Sequence, residues 1–171
     1  MVPFGTALLG RMRLGHALIL VALAVFFSGC TTRYIVNTDV EDTAQNREVI
    51  DFCEKYRKAV EGRNVELLLK LADPRYYEDG GNADAADDLD YAGLREYLED
   101  KFRETRSIRY EIRYRRVAKG KRDIMNVDFT YTASFKIPTP TGPAWRRRVA
   151  DNRLELVKAP SGTGFTILSG M

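Results

Sequence analysis

Apolar residues recur at helical spacing through the first half of the chain and at strand spacing through the second. Val49, Cys53, Tyr56 and Val60 fall on one helical face, widened by Phe52 and Ala59, which predicts a helix over residues 44–61. Thr43 or Asp42 can cap its start, and Gly62 marks its end. Asn64 then opens a second short helix, "VELLLKLA", which stops at Asp73 because the residue before Pro74 disfavours helical backbone. "RYYED" reads as a short strand and "GGNADAADD" as a polar loop. Leu94, Leu98 and Phe102 form the stripe of a third helix, Tyr91 to Arg103, with Asp90 as its N-cap.

After Thr105 the period changes from 3.6 to 2. Ile108, Tyr110, Ile112 and Tyr114 alternate with Arg109, Glu111, Arg113 and Arg115. Val127, Phe129, Tyr131, Ala133, Phe135 and Ile137 alternate with polar residues, the signature of an antiparallel sheet with one wet face. A third strand runs from Trp145 to Lys158. Its phase slips between Trp145/Val149 and Leu154/Leu156, which predicts a β-bulge at Ala150–Arg153. "FTILS" is the last strand. Three helices followed by four strands define a segregated α+β domain.

The first residues have a different composition. Arg11, Arg13 and His16 precede an unbroken apolar run from Ala17 to Phe27, then Ser28, Gly29 and Cys30. A basic start, a short apolar segment and small residues make a secretory signal rather than a spanning helix, which needs ~20 apolar residues. Phe27-Ser28-Gly29-Cys30 resembles the lipobox of bacterial lipoproteins. That resemblance implies a signal peptide over 1–29 and a diacylglyceryl, palmitate-type modification on Cys30. It further implies attachment to the lipid bilayer of the outer membrane, facing the periplasm, because Thr31 rather than Asp follows the cysteine. Two or more acyl chains anchor stably where one does not. Residues 30–43 then read as a lipidated tether and residues 44–171 as the domain. With Cys30 modified, Cys53 has no cysteine partner in the chain and reads as a buried small hydrophobe.

The chain has 171 residues, 44% hydrophobic and 30% charged, which suits one globular domain. Its net charge of +3 shrinks when the signal's arginines are removed, against a general nucleic-acid binder. The charge is nevertheless segregated. Residues 78–100 carry a net −8 and residues 101–122 a net +8. "DGGNADAADDLD" lacks the spacing of a calcium loop, so no metal is expected. Arg109, Arg113, Arg115, Arg146 and Arg148 are expected to cover the exposed sheet face and to meet a protein partner or a second copy of the domain.

The order of elements resembles the NTF2-like (SnoaL-like, cystatin-like) superfamily, over "VIDFCEKYRKAVEGRNVELLLKLADPRYYEDG", "LDYAGLREYLEDKF" and the strands ending "GFTILSGM". The resemblance implies a curved sheet wrapped on three helices around a conical pocket. It admits isomerases, dehydratases, polyketide cyclases and transport factors. Tyr56, Tyr76, Tyr77, Tyr110, Tyr114, Phe129 and Tyr131 are expected to line the pocket, open to a small apolar ligand. An enzyme would need an acid or base there. Its candidates are Asp73 or Glu78 with Tyr131, since no histidine follows His16. No acid–base pair can be assembled from the sequence, and no cofactor is expected. The expected function is therefore a membrane-anchored binding or assembly module. The alternative is an isomerase-, dehydratase- or cyclase-type enzyme acting on a small apolar substrate.

Overall fold

The computed structural model of the chain describes residues 32–79, 88–103 and 105–171. The expected signal peptide and Cys30 lie outside the described residues. From Arg33 onward the chain forms one compact unit. Helix α1 spans Ala44–Glu61, capped by the Thr43 side chain, which accepts from the Asn46 N–H at 3.1 Å. Helix α2 spans Val65–Leu71, capped by Asn64, which accepts from the Leu67 N–H. It ends one residue before the expected point. Ala72 leaves helical backbone to bridge Ile167 of the last strand. Strands β1 (Tyr77–Glu78) and β2 (Leu89–Asp90) pair as a small ribbon leading into α3, Tyr91–Arg103, where Asp90 accepts from the Gly93 N–H.

Strands β3 (Ser107–Lys119), β4 (Met125–Ile137), β5 (Ala144–Lys158) and β6 (Phe165–Ser169) form one antiparallel sheet in sequence order. The inner face carries Tyr110, Tyr114, Val127, Phe129, Leu154 and Leu156 against Val49, Phe52, Cys53 and Tyr56 of α1. Burying these rings and branched chains supplies the main driving force, at about 25 cal/mol per Å².

Two expectations change here. The bulge predicted at Ala150–Arg153 is absent. Strand β5 pairs with β4 in unbroken register from Ala144 to Leu156. The apparent slip arises because Trp145 and Val149 sit exposed on the outer face while Leu154 and Leu156 face the core. The irregularities fall instead between Tyr114 and Arg116 in β3 and between Glu155 and Leu156 towards β6.

The expected tether is also much shorter. Residues 33–42 fold onto the domain as a hairpin. Tyr34 bridges Glu41, the Ile35 N–H donates to Val40 O at 2.9 Å, and Val40 is buried. The Asp39 N–H donates to Tyr114 O at 3.0 Å and fastens this hairpin to β3.

Candidate functional site

The space between helices and sheet is largely filled by side chains. Tyr56 of α1 meets Tyr110 of β3 edge-on at 6.4 Å, and Tyr110 meets Tyr131 of β4 at 5.5 Å. Phe129 lies between Tyr114 and Tyr131. Burial pushes the Tyr110 hydroxyl up to about 12 and raises Tyr56 and Tyr114 as well, so these groups stay neutral and act as hydrogen-bonding rings. A cavity of about 160 Å³ remains, lined by Tyr56, Leu68, Leu98, Phe102 and Met171 together with the stacked pair Tyr97 and Lys101. It is near the size of a benzene-binding void and below the ~300–1,000 Å³ of ordinary ligand pockets.

Of the seven residues expected to line a cone, Tyr56 borders this cavity. Tyr110, Phe129 and Tyr131 form the packed aromatic row beside it. Tyr76 is buried, and its hydroxyl accepts from the Met171 N–H at 3.3 Å. Tyr114 is a correction, because its hydroxyl is committed to Glu54 at 2.9 Å beneath α1. Tyr77 is another. Strand alternation turns it outward, 50% exposed, towards Asp88.

The candidate bases are both engaged. Asp73 is 1% exposed. Its carboxylate accepts from the Arg75 guanidinium at 2.8 Å, the Arg75 backbone N–H at 3.0 Å and the Thr166 hydroxyl at 2.8 Å. The Arg75 hydrogen bond holds its pKa down to about 2, the reverse of what a base at neutral pH needs. Asp73 therefore ties the end of α2 to β6, helped by its own N–H on Ile167 O. Glu78 accepts from the Gly170 N–H at 2.6 Å. Burial first, then the Glu78 carboxylate, pushes the Tyr76 hydroxyl above its ordinary range.

The outer sheet face is the chemically distinctive surface. Arg113 and Arg115 share Asp39, at 2.5 and 3.0 Å, and Arg116 and Arg153 share Asp128, at 2.9 and 2.6 Å. The basic strand thus takes its acids from the N-terminal hairpin and its own sheet. Further along the same face, register places Arg109 and Arg147 on either side of Ser134. Arg109 stacks on the half-exposed Trp145 at 5.2 Å. Among the described residues neither Arg109 nor Arg147 has a carboxylate partner within ion-pair distance, and with Ser134 and Trp145 they line a shallow cleft. Arg146 borders the cleft as well, and Arg148 does not. They pair across from Phe135 and Ala133 and project on the inner side, because alternation sends even positions of β5 inward.

Sequence reasoning named Arg109 for this face but passed over Arg75, Asp39, Ser134 and Arg147. Arg75 was visible as Asp-Pro-Arg spacing. The others depend on cross-strand register, which the sequence does not print.

A curved antiparallel sheet closed by three N-terminal helices defines an α+β cone. Comparison with solved structures places it as the NTF2-like fold. The chain is similar to ActVI-ORFA from Streptomyces coelicolor, with 13% identity, a TM-score of 0.59 and coverage of 74% of this chain and 95% of that one. An NTF2-like superfamily protein from Salmonella enterica serovar Typhimurium matches at 10% identity and a TM-score of 0.58, covering 72% of this chain and 86% of the other. A candidate dehydratase of the NTF2-like family from Streptomyces avermitilis matches at 14% identity and a TM-score of 0.56, with coverage of 73% and 92%. No family model and no curated protein sequence matches the chain. The fold alone does not define an activity.

Proposed function

We propose that this protein is a lipid-anchored NTF2-like binding module, held at the outer membrane through acylated Cys30, that recruits an acidic protein partner to the Arg109–Trp145–Arg147 end of its outer sheet face. The observation that carries this reading is the contrast along that face. Four arginines share the two carboxylates of Asp39 and Asp128, while among the described residues Arg109 and Arg147 have no ion-pair partner and stand beside an exposed tryptophan. Trp and Arg are the side chains most enriched among energetic anchors of interfaces. A second copy docking through the same patch would bring like charges together, which favours a different, acidic partner.

Site-specific photo-crosslinking from position 134 in cells of the native host tests the reading. The expected product is a discrete adduct with an acidic protein, lost in an Arg109→Ala/Arg147→Ala variant that still folds. No adduct, or an adduct with this chain alone, counts against it.

An isomerase-, dehydratase- or cyclase-type enzyme is the second reading. The pairing of Glu78 with the buried Tyr76 hydroxyl favours it, as does the dehydratase description of one structural neighbour. The small cavity and the Arg75-bound Asp73 weigh against it. Full complementation of a deletion strain by Glu78→Gln would remove it.

A further inference from the structure

The N-terminal hairpin carries an unusual pattern for a domain surface. Ile35 packs inward against the core while Tyr34 and Val36 point out. Tyr34 is 55% exposed and Val36 81%, the highest value among the exposed large hydrophobics of the described domain. The hairpin is rigidly held. Asp42 N–H donates to Arg33 O at 2.7 Å, the Thr38 hydroxyl closes the turn on Ile35 O at 2.9 Å, and Asp39 is clamped by Arg113 and Arg115.

Their place in the chain supplies an occupant. Only Thr31 and Thr32 separate Cys30 from Arg33. At ~3.6 Å per residue, the Cys30 and Arg33 Cα atoms are at most about 11 Å apart. A diacylated cysteine sits at the glycerol level of the bilayer, beneath a headgroup layer ~5–8 Å deep. The leash therefore keeps Arg33 within about 11 Å of that level, at or just above the headgroup layer.

We propose that the Tyr34–Val36 hairpin is a second membrane contact, a foot that presses into the phospholipid headgroups beside the anchor. This rests on the lipoprotein reading of Cys30. Tyr34 has the amphipathic ring favoured at membrane interfaces, and Val36 adds apolar area at the turn. Arg33, exposed and without an ion-pair partner among the described residues, supplies a charge for anionic headgroups. Arg47 is occupied by Asp42, and Asp51 stands in the same groove, so the contact is chiefly apolar rather than polybasic.

The test uses the full chain, processed in its host and reconstituted in vesicles of phosphatidylethanolamine and phosphatidylglycerol. Val36→Cys and, as the distal control, Thr141→Cys are labelled with an environment-sensitive fluorophore; Cys53 is buried and stays unlabelled. Mass spectrometry of the mature N-terminal peptide reports acylation of Cys30 in the same samples. The expected result is an acylated peptide, with fluorescence at position 36 quenched at least twofold by headgroup spin-labelled lipid and fluorescence at position 141 unquenched. An acylated peptide with equal, negligible quenching at both positions overturns the foot and leaves the anchor standing. An unmodified Cys30 overturns both.

Discussion

Replacing Asp73 with Asn separates a structural carboxylate from a catalytic one. The folded pKa near 2, against an ordinary value of 3.8, corresponds to about 2.4 kcal/mol at 1.36 kcal/mol per pH unit. The Arg75 side chain that lowers it is 70% exposed, so solvent screening reduces the contribution to about 1–2 kcal/mol. Asn also has one acceptor oxygen where the carboxylate has two. One of the Thr166 and Arg75 donors is left unpaired, at a further cost of about 1 kcal/mol. The variant should therefore lose about 2–3 kcal/mol at pH 7.

The dependence on pH follows from the direction of the shift. A carboxyl whose folded pKa is depressed stabilises fully above its unfolded value and loses that contribution as pH falls through the folded one. About half of the ionic part should be gone at pH 3, with the remainder lost by about pH 1. Urea unfolding followed by far-UV circular dichroism, run on both proteins at pH 7, 5 and 3, reads this directly. The gap between wild type and Asp73→Asn should narrow between pH 5 and 3. A gap that is absent at pH 7, or unchanged at pH 3, refutes the ion-pair account of Asp73.

Gly170→Ala should destabilise by roughly 3 kcal/mol, because its φ is +93° and an added Cβ would lie 1.8 Å from the Arg153 carbonyl oxygen; thermal melting checks this. Thr43→Ala should cost about 1 kcal/mol by removing the cap on the Asn46 N–H, read as a shift in urea midpoint at unchanged slope. The Cys53 thiol is fully buried and its pKa is raised by desolvation. Maleimide labelling of the native protein at pH 8 should therefore be negligible and should appear only on unfolding. Phe129→Ala should cost about 3–5 kcal/mol, measured by urea unfolding, because the ring sits at the centre of the aromatic row and its removal leaves a void.

The sequence by itself determined the elements. Helical periodicity around Val49 and Tyr56 and strand alternation through Val127–Ile137 are local consequences of backbone geometry. Their caps at Thr43, Asn64 and Asp90 are equally local. The α+β class followed from their order. Tertiary structure decided what the local patterns could not: which side chains meet across distance. Whether Arg146 joins Arg109 or turns to the opposite side depends on the pairing of β5 with β4. Asp73 was ambiguous until Arg75 and Thr166 closed on it from two elements. The stretch 33–42 lacks any strong periodicity, and its fold comes from pairing with itself and from Asp39 reaching β3. The cone, open in the sequence pattern, is nearly closed in space because four tyrosines and Met171 occupy it. Periodicity assigns a residue to a face, and only packing decides whether that face borders a neighbour, a void or water.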